Sequence, residues 1–274
     1  MSSQLKRFFN NDSFGKRLKA AKRARHCDGI PKVDDAGKVM TYKGAPVQIM
    51  HNGVRIFSGC YHGERMTKII KALKGHHEPQ EEKVFHQVLA HVPEDGTMLE
   101  VGCFWAYYSL WFSHEMPNRK NLLIEPVAWK RMIAELNFTL NERSVQVDPC
   151  YIEDAEISLQ ESTASEEAFL KDSRAVTIDA YLAEKGLDRL DILHADIQGA
   201  ELSLLHGAKN ALKSHMIDYI FLSTHEGRHA SSVQLLKEYN YKILAEHSEE
   251  ESYSADGLIV AAGPKAKFTE CIEI

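Results

Sequence analysis

The stretch Leu190-Asp191-Ile192-Leu193-His194-Ala195-Asp196-Ile197-Gln198-Gly199-Ala200-Glu201 decides how the rest of the chain is read. Leu190, Ile192, Leu193 and Ala195 make a mainly apolar run into an acid, a glycine allows a tight exit, and an apolar-periodic segment (Leu202 to Ala208) follows. That is a buried strand turning into a helix, with Glu201 placed in the first turn, where a carboxylate suits the helix dipole. Asp196 and Gln198 then stand at the carboxyl end of the strand, where open α/β sheets bind their ligands. Capping the following helix is the purely structural alternative for Asp196.

Working outward, the same alternation holds from Thr97 on. Strands are expected at 97–101, 121–124, 145–152, 191–195, 218–223, 241–246 and 257–262, with helices at 107–116, 128–140, 177–185, 200–212 and 230–239. Short apolar strands separated by helices imply parallel pairing through right-handed crossovers. The last two strands have only an acidic loop (249–254) and an Asp256-Gly257 turn between them, so they should pair antiparallel. The expected class is therefore α/β: a Rossmann-like, mostly parallel sheet ending in an antiparallel hairpin. Residues 1–95 read differently, as a helical arm, a hairpin around Asn52-Gly53 and two helices (65–73 and 81–92), which together form an N-terminal α+β cap. Residues 96–274 form the second expected domain.

Composition excludes several classes. With 44% hydrophobic and 26% charged residues the chain is an ordinary globular protein. A net charge of -6 speaks against bulk electrostatic binding of nucleic acid. Cys27, Cys60, Cys103, Cys150 and Cys271 have no zinc-knuckle or redox spacing and suit reduced thiols in a cytoplasmic protein. No run approaches the roughly 20 apolar residues of a membrane span. Lys6, Arg7, Lys16, Arg17, Lys19, Lys22, Arg23 and Arg25 make the arm basic, either a solvated helix face or a docking surface.

Three further motifs fall at strand ends. Met98-Leu99-Glu100-Val101-Gly102 leads through Cys103, Phe104, Trp105 and Ala106 into Tyr107-Tyr108-Ser109. Phe104 and Ala106 occupy places where a pyrophosphate loop needs glycine, which weakens a dinucleotide reading. Glu125, ending Leu123-Ile124-Glu125-Pro126, can accept both hydroxyls of a ribose. His225, in Ser223-Thr224-His225-Glu226, brings an imidazole to the edge that holds Asp196. Asp196, His225 and Glu226 could also ligate a divalent ion, but no compact ligand motif supports this and no metal is expected. His76-His77-Glu78 is either a polar loop or a substrate contact.

Together these segments resemble the FkbM family of class I S-adenosylmethionine-dependent methyltransferases, over roughly Glu81 to the C-terminus. The carrying residues are 99–102 with 107–109, 124–126, Asn137, 191–208 and 223–225. The resemblance implies S-adenosyl-L-methionine as cofactor, with Glu100, Gly102, Phe104, Trp105, Tyr107, Ser109, Glu125, Asp154, Asp196 and Gln198 as its binding residues. Glu100 and Gly102 would lie by its methionine end, Glu125 by the ribose and Asp154 by the adenine amine. Phe104 and Trp105 depart from the family pattern, and their rings could face the sulfonium instead. His225 is the expected base, oriented by Asp196, and His76, His77, Gln198 and His225 the expected substrate contacts. The acceptor implied is a hydroxyl of a glycan or secondary metabolite, and the arm could dimerise the chain or close over the site. A nicotinamide-dependent oxidoreductase and a non-catalytic scaffold are the rival readings; the missing pyrophosphate loop counts against the first, and the polar strand ends count against the second.

Overall fold

The computed structural model describes residues 11–153, 172–254 and 256–274. The chain divides into two compact units. The first comprises residues up to His86 with 252–255 and Ile274; the second comprises Gln87–Glu251 and Asp256–Glu273. The division falls ahead of the boundary expected at 95/96.

In the first unit, helix α1 (Asn11–Ala21) precedes a three-stranded antiparallel sheet of β1 (Val39–Tyr42), β2 (Ala45–Ile49) and β3 (Arg55–Phe57). The Asn52-Gly53 hairpin is present, with Gly53 at φ 91° and the Asn52 side chain accepting from Val54 N at 3.2 Å. Strand β1 was not expected: its Val39 and Met40 stay exposed, so no burial pattern marks it. Helix α2 (Gly63–Ala72) buries Met66, Ile69 and Ile70 at helical spacing. Helix α3 (Pro79–Leu89) begins on the proline, whose missing N–H costs nothing there.

The second unit is built on a seven-stranded sheet. Its strands are β4 (Thr97–Val101), β5 (Lys120–Ile124), β6 (Val147–Asp148), β9 (Leu190–Ala195), β10 (Ile217–Thr224), β11 (Lys242–His247) and β12 (Gly257–Ala262). Their order is β11-β12-β10-β9-β4-β5-β6. Every adjacent pair from β6 through β10 is parallel, while β12 runs antiparallel to both neighbours. The expected terminal hairpin exists, but its second strand lies inside the sheet and its first forms the edge.

Helices α4 (Tyr107–Glu115), α5 (Ala128–Leu140), α6 (Ile178–Glu184), α7 (Glu201–Gly207), α8 (Lys209–Lys213) and α9 (His229–Glu238) connect the strands. The central strands are buried on both faces, as a covered parallel sheet requires. Leu99, Val101, Leu193, Ala195, Ile220 and Leu222 fill one face; Met98, Ile192, Tyr219 and Phe221 fill the other. Buried Arg119 donates to the carbonyls of Leu89, Val92, Pro93 and Phe112 at 2.9–3.4 Å, so one guanidinium satisfies four acceptors ahead of β5.

Two elements differ from expectation. The single strand expected at 145–152 splits at Pro149, which has no N–H for the ladder. Its first half, β6, joins the main sheet, and β7 (Cys150–Ile152) pairs with β8 (Arg174–Val176) in a separate two-stranded sheet. The helix expected at 200–212 breaks at Ala208 into α7 and α8. A side chain at Gly207 would stand 3.2 Å from Thr177 Cβ, so α7 packs close there.

Candidate functional site at the switch point of the sheet

Strand order reverses between β4 and β9, and a crevice outside their carboxyl ends is the usual ligand position in such sheets. The backbone there is unusually conformed. Phe104, Ala106, Gln198 and Glu226 all have φ between 41° and 57°, in the turns that leave β4, β9 and β10. Each left-handed non-glycine residue costs about 1–3 kcal/mol, and such strain concentrates at functional sites. Gly102 (φ 77°) is required for a second reason: a Cβ there would stand 2.1 Å from the Asp196 carbonyl oxygen. The turn after β4 thus packs directly against the turn after β9.

Buried acids hold this loop. Glu100 pairs in register with His194 on β9, and its Oε2 accepts from Ser109 N at 3.0 Å, which ties the first turn of α4 to the strand. The ring of Tyr108 lies 4.2 Å from that of His194. Glu125 ends β5 with its oxygens accepting from Val127 N (2.9 Å) and Phe104 N (3.3 Å). Burial pushes its carboxyl above the ordinary range, against the opposing charge of Lys130. Asn137, fully buried on α5, donates to the Trp105 carbonyl at 3.0 Å.

The aromatic residues of the loop are engaged with protein. Phe104 meets Trp129 edge-on at 5.2 Å and has the Lys130 ammonium 4.9 Å from its centroid. Trp105 is buried and stacks on Tyr107 at 5.1 Å.

Beside this loop lies a polar cluster centred on His225, whose ring is completely buried. Its Nδ1 is 2.6 Å from Glu201 Oε1. Its Nε2 is 3.1 Å from Asp256 Oδ1 and 3.5 Å from Asp196 Oδ1. Gln198 Nε2 donates to Asp196 at 2.8 Å and lies 3.0 Å from the same ring nitrogen. Burial alone would drive the proton from His225. Hydrogen bonds to Asp256 and Glu201, with the charge of Asp196, outweigh it and raise the pKa to about 11. The carboxylates around it thus favour the protonated form of the ring. Asp196 is the exposed member, its side chain one-third accessible.

The structure thus gathers Glu100, Gly102, Phe104, Trp105, Tyr107, Ser109, Glu125, Asp196, Gln198 and His225 around the carboxyl edge or the loop beside it. Asp154 lies outside the described residues. Glu226 pairs with Arg228 at 2.8 Å. His76 and His77 belong to the first unit, where both are buried against Glu82. Two members of the cluster were missed. Glu201 reads in sequence as a helix-dipole residue and Asp256 as a turn residue. Asp196 was the partner expected for His225, and neither Glu201 nor Asp256 carries a sequence mark that would bring it there.

A doubly wound sheet, with one antiparallel strand beside its far edge and acids at the ends of its central strands, defines a Rossmann-like, methyltransferase-type α/β protein. The sequence matches the Methyltransferase FkbM domain over residues 87–243, more than half of the chain. The protein belongs to that family.

Among solved structures, TrmK of M. capricolum in complex with S-adenosyl-homocysteine is 14% identical, with 67% of this chain and 69% of that one covered at a TM-score of 0.39. The ribosomal protein L11 methylase of Lactobacillus delbrueckii subsp. bulgaricus is 15% identical, covering 69% and 81% at 0.41. The precorrin-6y C5,15-methyltransferase of Geobacter metallireducens is 14% identical, covering 66% and 87% at 0.39. These likenesses are distant, and the family assignment rests on the sequence match. No curated protein matches the chain. No helix among the described residues is long and apolar enough to cross a membrane.

Proposed function

We propose that the protein transfers the methyl group of S-adenosylmethionine to a hydroxyl of a glycan or secondary metabolite. The observation that carries this reading is the meeting, at the switch point, of the Gly102 turn and the Asp196 turn beside the Glu125 carboxylate. The residues fit the cofactor. Each Glu125 oxygen accepts one amide and keeps a second acceptor site for a ribose hydroxyl. Glu100 braces the loop and the first turn of α4 beside the methionine end. Bound there, the cofactor supplies an electrophilic methyl carbon on a sulfonium.

The chain's share of catalysis is position and proton transfer. Holding an acceptor oxygen in line with that carbon contributes roughly 7–11 kcal/mol in ideal cases. For the proton, the geometry favours Asp196 over His225. Asp196 is accessible, and the buried His225 ring and the Gln198 amide hold it in place. His225, expected from sequence as the base, becomes a positioning residue in this reading. Proton removal by a placed base is worth on the order of 100- to 10,000-fold. Asp196→Asn should lose that much of the labelled-methyl transfer to a panel of polyhydroxy acceptors, with cofactor affinity retained. Unchanged transfer would remove Asp196 from the role.

The cofactor is tested by calorimetric titration with S-adenosylmethionine, S-adenosylhomocysteine and NAD. Micromolar binding of the first two, weakened about tenfold or more in Glu125→Ala by loss of charge-assisted hydrogen bonds, is the expected result. Binding of NAD instead would turn the assignment to an oxidoreductase, and binding of none to a scaffold.

A further inference from the structure

The first unit contains a buried cluster that methyl transfer does not use. Cys27 follows α1, His76 lies in the loop after α2, and Glu82 is in the first turn of α3. Each can bring one ligand atom (a sulfur, an imidazole nitrogen or a carboxylate oxygen) within 4.8 Å of the other two. Cys27 is 6% exposed, and His76 and Glu82 are fully buried.

The arrangement is over-supplied with ligating groups. His76 Nδ1 meets Glu82 Oε2, while His76 Nε2 is buried with no hydrogen-bond partner. An orphaned buried nitrogen is costly and calls for an explanation, an ion among them. Glu82 Oε1 accepts the amides of His77 (2.7 Å) and Glu78 (3.1 Å), which fixes the carboxylate in place. The Cys27 thiol donates to the Pro79 carbonyl at 3.3 Å, and the ring of His51 stacks on His76 at 4.2 Å.

We propose that Cys27, His76 and Glu82 bind one divalent transition-metal ion of the zinc type. The donor set selects the ion: a thiolate with an imidazole suits zinc, whereas calcium and magnesium take oxygen ligands. One thiolate and one carboxylate match the charge of a divalent cation, and His77, 2.7 Å from Glu82 Oε1, is paired in turn with Glu78 at 3.1 Å. On binding, Cys27 gives up its thiol proton to solvent and forms a sulfur–metal bond, and His76 donates a nitrogen lone pair. Three protein ligands leave the fourth tetrahedral position to a water molecule. The ion would clip the segment after α1 to the loop after α2 and the start of α3, Cys27 lying far along the chain from His76 and Glu82, which are six residues apart. That distance is why cysteine spacing gave no sign of it.

The test uses the full chain, stripped with chelator and titrated with Zn2+ by calorimetry and with Co2+ by absorption spectroscopy. One equivalent should bind, the cobalt form should show a thiolate-to-metal charge-transfer band, and Zn2+ should raise the melting temperature. Cys27→Ser should abolish the band, and His76→Gln should weaken Zn2+ by on the order of 100-fold or more, since losing an outer-shell partner alone costs roughly 10- to 100-fold. Cys60→Ser, a cysteine outside the cluster, should change nothing. A flat Zn2+ titration of the wild-type chain overturns the proposal, whatever the stability of the variants. So does a band that survives Cys27→Ser.

Discussion

Gly102→Ala should leave a protein that binds no S-adenosylmethionine and unfolds about 2–5 kcal/mol more easily than wild type. Two costs add. A left-handed alanine pays roughly 1–2 kcal/mol for its Cβ. Overpacking a rigid site costs about 1–3 kcal/mol more. Here the obstruction is backbone, the Asp196 carbonyl at 2.1 Å, so the turns after β4 and β9 must separate. Those turns carry the candidate cofactor loop and Asp196. Gly199→Ala is the control. It also requires a positive φ (108°), yet its nearest neighbour is the Arg228 guanidinium at 3.3 Å, a flexible end that can move. Denaturant melts and calorimetry of the two variants decide the matter. Equal losses in both would mean that conformational strain alone, not the approach of the two turns, governs this site.

The second large effect is expected at His225. Removing one partner of a buried ion pair leaves the other uncompensated, at a cost of about 3–5 kcal/mol. His225→Ala would strand Glu201, which is fully buried and otherwise accepts from Gly199 N at 2.9 Å.

The pH dependence gives a sharper signature. The folded pKa of about 11 lies above the ordinary histidine value, so the proton stabilises the native state. That contribution is complete below about pH 6.5, and declines as pH rises through the folded value near 11. Between neutrality and pH 10 wild type should lose stability faster than His225→Ala. Melting midpoints across that range test it, and parallel profiles would show that the ring is not held protonated.

Much of this fold is legible without coordinates. Strands 97–101 and 257–262 and helix 128–140 fall where the apolar pattern places them, because burial on both faces makes the central strands mostly apolar. Glu100, Glu125, Asp196 and His225 stand out for the complementary reason: polar groups at the ends of such strands need partners.

What could not be read is long-range or conformational. Pro149 looks tolerable in an eight-residue strand until its ladder partners are known. The left-handed turns at Phe104, Ala106, Gln198 and Glu226 carry no sequence mark, since none is a glycine. Asp256 meets His225 across 31 residues, the difference of their numbers, and joins the cluster only because β12 pairs with β10. Protonation of His225 follows from that meeting and was equally hidden.

The position of β12 also sets the order in which the molecule can be assembled. Because this strand lies between β10 and β11, both of which precede it in the chain, a growing polypeptide reaches residue 247 with a gap in its sheet. Until residues 257–262 emerge, β10 presents an open row of amide and carbonyl groups, a template for adhesion to other chains. Asp256 arrives on the same short piece, so the carboxylate that helps keep His225 charged is delivered by the strand that seals the sheet. Closure of the fold and electrostatic completion of the site are one event in the life of a nascent chain.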